Sequence, residues 1–312
     1  MSDIIRVTNL TKDFGRGFKA VDGLSFTVPG GQVYGFLGQN GAGKSTTIRM
    51  LLTLIKPSSG DIEIFGMNLA KHRKEILQKT GAIIERPDLY KYLTARENLR
   101  IFAAMSGITV SEKRMMDQLE MVGLAERAHS KVKAYSQGMK QRLGIATALI
   151  HDPQLIILDE PTNGLDPQGI ADMRNLILHL SKDLKKTVMV SSHLLNEMEL
   201  IADSMLIIDK GKKIVEGKVS ELFDPAETIV ELKTTDIDTA WEKLQSSVFK
   251  KSTVEKKAGL IQLKLNRDEL PSVVKELVQM DIEVLSFYSK NSLEDYFLSL
   301  TSGHQHVETF KA

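Results

Sequence analysis

Gly38-Gln39-Asn40-Gly41-Ala42-Gly43-Lys44-Ser45 is the stretch on which the reading of this sequence turns. A glycine, four residues and then Gly-Lys-Ser stand between a short apolar run, Gln32 to Leu37, and a segment with Ile48, Leu51, Leu52 and Ile55 at helical spacing. Strand, glycine loop and helix in that order make a phosphate-binding loop. Glycines let the backbone curl until its amides point inward, the helix N-terminus adds partial positive charge, and Lys44 can bridge phosphate oxygens. The Ser45 hydroxyl is placed to hold Mg²⁺, and Thr46 carries the loop into the helix, so Gly38 through Thr46 are the candidate nucleotide-binding residues.

About 110 residues on, Leu155-Ile156-Ile157-Leu158-Asp159-Glu160 is an apolar strand that ends in two carboxylates. Alone, these could be solvated acids capping a core strand. Beside the glycine loop they read as the second half of a P-loop ATPase site, Walker B to its Walker A. Asp159 is then expected to hold Mg²⁺ through water, and Glu160 to polarise the attacking water as general base.

The rest of the chain organises around these two motifs. Ile4 to Leu10 and Leu24 to Val28 read as strands, the second closing at the turn Pro29-Gly30-Gly31. Lys44 to Ile55 reads as a helix. Helical segments near Ala95 to Met105, Glu112 to Met121 and Gln137 to Ile150 suggest an inserted helical subdomain over about 87–148. Apolar strands then alternate with helices near Gln168 to Leu180 and Leu194 to Ala202, as in a parallel α/β sheet. Past Gly217, Thr228 to Lys233, Asp238 to Gln245, Ser252 to Lys257, Leu260 to Leu265, Arg267 to Met280 and Ile282 to Ser289 suggest strand, helix, strand, strand, helix, strand. That is a ferredoxin-like order. The expected architecture is an α/β ATPase domain over 1–222 and a small α+β domain over 226–312. Asp224-Pro225 reads as a hinge, Leu293 to Leu300 as a docking helix, and Gly303 to Ala312 as a frayed end.

Composition narrows the function. With 41 basic and 40 acidic residues, the net charge of +1 supplies no bulk field for nucleic acid, and no nucleic-acid partner is expected. The absence of cysteine excludes disulfides and thiolate metal sites. No basic segment followed by a long apolar run opens the chain, and no apolar stretch nears the roughly 20 residues of a membrane-spanning helix. A cytoplasmic protein is expected.

Several motifs then give a resemblance. Tyr135-Ser136-Gln137-Gly138-Met139, followed by Lys140-Gln141-Arg142, resembles the signature of ABC transporter ATP-binding proteins, with Gln137 in place of a glycine. Taken alone, Ser136 before a helix is an N-cap; in this family Ser136, Gln137 and Gly138 would bind the γ-phosphate held by a second subunit. Asn163-Gly164-Leu165-Asp166 resembles the family's loop at the dimer interface, contributed here by Asp166, and His193 resembles its switch histidine, although a histidine after a strand is by itself commonly a surface residue. Phe14 matches the aromatic that stacks on adenine. Glu85 stands where most members carry a glutamine that contacts Mg²⁺, and it offers a charged oxygen ligand instead. That substitution, with Ser292-Leu293-Glu294-Asp295-Tyr296-Phe297, is similar to the bacitracin and lantibiotic export or immunity branch.

The resemblance implies an ATPase using ATP and Mg²⁺, acting as a homodimer or as a heterodimer with a homologous ATPase. It would sit on the inner face of the cell membrane and drive a bacterial exporter through a separate permease, with peptide antibiotics or other drugs as cargo. Two other readings stay open: an importer ATPase, and a soluble non-transport ABC ATPase. The second usually carries two cassettes or long coiled-coil insertions, of which this chain has neither.

Overall fold

Ile5 and Val7 turn inward from the first strand while their neighbours face out, the period of two that a half-buried sheet demands, and Leu10 turns inward again after a register shift. The computed structural model describes residues 3–15, 17–222, 228–257, 259–266 and 269–289. The chain divides into two units, Met1–Val219 and Ser220–Ala312. The first runs β1 (Asp3–Asp13), β2 (Lys19–Pro29), β3 (Val33–Leu37), α1 (Lys44–Leu51), β4 (Ser59–Ile64), β5 (Met67–Asn68), α2 (Arg73–Gln78) and β6 (Thr80–Ile83). Three helices follow, α3 (Ala95–Met105), α4 (Glu112–Met121) and α5 (Gln137–Leu149). Then come β7 (Leu155–Asp159), α6 (Pro167–Lys182), β8 (Thr187–Ser192), α7 (Leu195–Glu199), β9 (Ser204–Asp209) and β10 (Lys212–Lys218), with α8 (Val219–Leu222) across the division.

A six-stranded sheet in the order β10-β9-β3-β8-β7-β6 is parallel except for β10. Every residue of β3, β7 and β8 is buried, which is why Leu155 to Leu158 of β7 and Val188 to Val190 of β8 are apolar without alternation. A second, antiparallel sheet, β2-β1-β4-β5, shares its core with the first. Leu24 and Phe26 from one meet Tyr34, Phe36 and Leu206 from the other, together with Ile48 and Leu51 of α1. Burying each such large side chain contributes about 1.5–3 kcal/mol.

The helical insertion starts on a capping box. The Thr94 hydroxyl accepts from Glu97 N, and the Glu97 carboxylate accepts from Thr94 N at 2.7 Å. Buried Asn98 ties the preceding segment down, donating to the carbonyls of Tyr90 and Thr94 and accepting from Tyr90 N at 2.9 Å. Helix α5 lies close against the chain leaving β6: a Cβ on Gly144 would stand 2.5 Å from Pro87 Cβ.

The second unit contains β11 (Thr228–Thr234), α9 (Ile237–Gln245), β12 (Thr253–Lys257), β13 (Leu260–Leu265), α10 (Leu270–Gln279) and β14 (Val284–Ser289). Its antiparallel order, β12-β13-β11-β14, is ferredoxin-like. Val230, Leu232, Ile261 and Leu263 bury against Ala240 and Leu244 of α9 and Val273 and Leu277 of α10. Across the strands, Glu231 is 5% exposed and accepts from Gln262 at 3.1 Å and Tyr288 at 2.5 Å, so its carboxylate is buried with partners.

Some boundaries differ from the sequence reading. Helix α1 ends at Leu51, four residues early, because Thr53 turns to a left-handed φ of +58 and Leu54 N bonds back to Arg49 O. Strands β1 and β2 each extend several residues further than expected because they pair along their whole length. The expected hinge at Asp224-Pro225, docking helix at Leu293 to Leu300, motif at Ser292 to Phe297 and frayed end lie outside the described residues.

Candidate nucleotide-binding site

Between β3 and α1 the glycine loop wraps one wall of an open cavity of about 240 Å³, lined by Gln39, Asn40, Gly41, Gly43, Lys44, Ser45 and Thr46. Gly43 has to be glycine twice over: its φ is +106, and a Cβ there would stand 2.5 Å from the carbonyl oxygen of Ala20. Gly38 and Ala42 sit just behind the wall, Gly38 accepting the Lys44 ammonium on its carbonyl at 2.7 Å and Ala42 bonding Gln39 O through its amide. Lys44 is 5% exposed and also reaches Gln39 O at 3.3 Å and Glu160 Oε1 at 3.2 Å. Its ammonium is thus held by oxygens at the mouth of the loop.

The carboxylates enter from the ends of the sheet. Asp159 closes β7 fully buried; its Oδ1 accepts the Ser191 hydroxyl at 2.5 Å, and its Oδ2 has no hydrogen-bond partner. An unpartnered buried carboxylate oxygen at the end of β7, together with Ser45 in the cavity wall, suits Mg²⁺, which uses one or two carboxylates and takes its other ligands from water and phosphate. Glu160 adopts φ +50, strained for a residue with a side chain, and its amide bonds the Ser191 hydroxyl at 3.0 Å. Its Oε2 meets His193 Nδ1 at 2.8 Å, so Glu160 and His193 come together although they lie on different strand ends.

The remaining candidates are placed elsewhere. Glu85, also left-handed at φ +56, does not line the cavity; its carboxylate pairs with Arg49 Nη2 at 2.5 Å. Ser136 caps α5, accepting from Met139 N at 3.2 Å, and Asp166 caps α6, accepting from Gly169 N at 2.9 Å. Gly138 lies beside Leu165, so Ser136, Gln137 and Gly138 form one patch with the Asp166 loop, apart from their own chain's cavity.

Phe14 lines the cavity, and with it comes Phe18, which motif reading does not supply. The two rings stack with centroids 6.4 Å apart and planes 23° from parallel, and both are more than half exposed. An aromatic four residues after Phe14, across a glycine-bearing turn, was the available signal. Ser191 and Arg49 are the other two unforeseen participants; both become visible only when strand order is known.

A strand–glycine loop–helix site with a buried acid ending β7, two strands away in the same parallel sheet, defines a P-loop nucleoside triphosphatase. The family described as ABC transporter matches residues 21–163. The bacitracin transport ATP-binding protein BcrA of Bacillus licheniformis is 46% identical, over 97% of this chain and 99% of that protein. The lantibiotic transport ATP-binding protein SrtF of Streptococcus pyogenes is 41% identical, over 75% of this chain and 97% of that one. Among solved structures, a dimeric ATP-binding cassette bound to ADP and Pi in a post-hydrolysis state is 26% identical, with a TM-score of 0.62, over 69% of this chain and 98% of its own. The chain belongs to the ATP-binding proteins of ABC transporters, and it is an ATPase of that family.

Proposed function

We propose that this chain is the motor of a bacterial exporter that hydrolyses ATP to drive a separate membrane permease, with peptide antibiotics as cargo. The observation that carries the hydrolytic part is the Glu160 carboxylate, set between the Lys44 ammonium and the His193 imidazole at the mouth of the phosphate loop. The similarity to bacitracin and lantibiotic transport proteins over most of their lengths supports the cargo. Among the described residues no helix is long and apolar enough to cross a membrane, which suits a motor docked on the inner face of the membrane through its partner.

In this reading the amides of Gly41 to Ser45 and the Lys44 ammonium bind the β- and γ-phosphates, Phe14 and Phe18 stack on the base, and Glu160 takes the proton of the attacking water while His193 orients the γ-phosphate. Asp159 and Ser45 would hold Mg²⁺, which neutralises phosphate charge when bound. The cavity is smaller than the roughly 300–1,000 Å³ that encloses a ligand of drug size, so a nucleotide lies in it with one side open. A second copy or a homologous ATPase, packed head to tail, closes that side with its own Ser136, Gln137 and Gly138, and Asp166 lies at the seam. Affinity capture of the Glu160→Gln protein from its native cells with ATP and Mg²⁺ tests the whole. A polytopic membrane protein recovered in fixed stoichiometry supports the motor; ribosomal or DNA-repair partners would sink it.

A further inference from the structure

Strands β6 and β7 run side by side with Ile83 opposite Leu158, so Glu85 emerges at the same carboxyl edge as Asp159 and Glu160. Of the three carboxylates at this edge, Glu160 lines the cavity, while Glu85 stands outside it. Asp159 takes the Ser191 hydroxyl, and Glu160 bridges Lys44 and His193. Glu85 takes Arg49, which stands on α1 one helical turn beyond Ser45, with Nη2 2.5 Å from Oε1.

Both partners are open to water, their side chains 36% and 63% exposed, and an ion pair in such a setting adds little to folding stability. Yet the acid sits on a left-handed backbone, at φ +56, that a residue with a side chain rarely adopts. Stability does not explain the pair; its place beside the phosphate loop does.

We propose that Arg49 is a positioning residue of the ATPase, which cancels the charge of Glu85 and fixes its carboxylate, so that a glutamate can stand at this edge of the site without repelling the nucleotide. This rests on the nucleotide-binding reading of the cavity. Arg49 therefore matters only while residue 85 is charged. Without it, a bare anion faces the polyphosphate and weakens its binding, by an amount that salt screens.

The test is calorimetric ATP binding to the full chain in EDTA, at about 50 and about 300 mM salt, for the wild type, Arg49→Gln, Arg49→Lys, Glu85→Gln and the double variant Arg49→Gln with Glu85→Gln. Arg49→Gln should weaken binding about fivefold at the lower salt, and less at the higher. Arg49→Lys, which keeps the charge, should bind as the wild type does, and the double variant should bind as Glu85→Gln does. Equal weakening by Arg49→Gln in both backgrounds, wild-type binding by Arg49→Gln, or loss with Arg49→Lys would each overturn the proposal. Failure of every variant and the wild type to bind ATP would overturn the nucleotide site itself, and the proposal with it.

Discussion

Glu160 Oε2 stands 2.8 Å from His193 Nδ1, and the same carboxylate reaches Lys44 Nζ through Oε1 at 3.2 Å. One side chain thereby joins the phosphate loop to the ends of β7 and β8. In the proposed function, an incoming γ-phosphate would compete with Glu160 for the Lys44 ammonium and free the carboxylate to take a proton from water. Glu160→Gln is expected to lower phosphate release by about 10²–10⁴-fold while ATP still binds. Turnover within tenfold of the wild type, in a phosphate-release assay, would remove Glu160 from the role of base.

Phe18 is expected to hold the base together with Phe14. Its ring stacks on Phe14, and the Lys12 ammonium lies 5.1 Å from the Phe14 centroid on the same platform. An aromatic pair of this kind is worth about 0.5–1.5 kcal/mol, so Phe18→Ala should weaken ATP binding about two- to tenfold. Affinity for inorganic tripolyphosphate, which has no base, should stay unchanged. Parallel loss of both would mean that the substitution disturbs the loop and not the stacking.

Gly144 sets the distance between α5 and the segment after β6. Gly144→Ala forces a methyl against Pro87 at 2.5 Å, and we expect a loss of about 1–3 kcal/mol. Chemical denaturation would read it directly. A stability equal to the wild type would mean that Pro87 yields without cost.

Acid should weaken the first unit partly through His151. Burial pushes its imidazole below the usual histidine range, against the pull of the Thr80 carbonyl 3.2 Å from Nε2. Because the folded form resists protonation, the unfolded chain takes up the proton first as pH falls. Stability is therefore intact above the ordinary value of 6.5 and declines as pH drops below it towards the depressed folded value. His151→Gln should show a smaller fall in melting temperature between about pH 7.5 and about pH 5.5 than the wild type. An identical fall in both proteins would exclude this contribution.

Much of the architecture was legible because local rules and global fold agree. The run Leu155 to Leu158 is apolar throughout since the strand is covered on both faces, and the glycine loop is bracketed by strand and helix as its chemistry demands. The ferredoxin-like order followed from the succession of elements alone. What stayed hidden is what strand order brings together: Ser191 opposite Asp159 in neighbouring strands, and Arg49 beside Glu85. Glu85 read as a metal ligand from its place in a motif, whereas the structure gives its carboxylate to a guanidinium. Ser136 and Asp166 cap helices in the single chain, and their expected roles in a dimer require a surface that one copy cannot supply.

Strand β11 comes first in its unit along the chain yet lies inside the sheet, bonded to β13 on one side and to β14, the last strand, on the other. That arrangement ties the beginning of the unit to its end. A reading frame interrupted before Val284 would leave a long edge of β11 without its neighbour, a template for pairing with other chains. A frameshift before Val284 should therefore yield inclusion bodies in place of a shorter working subunit.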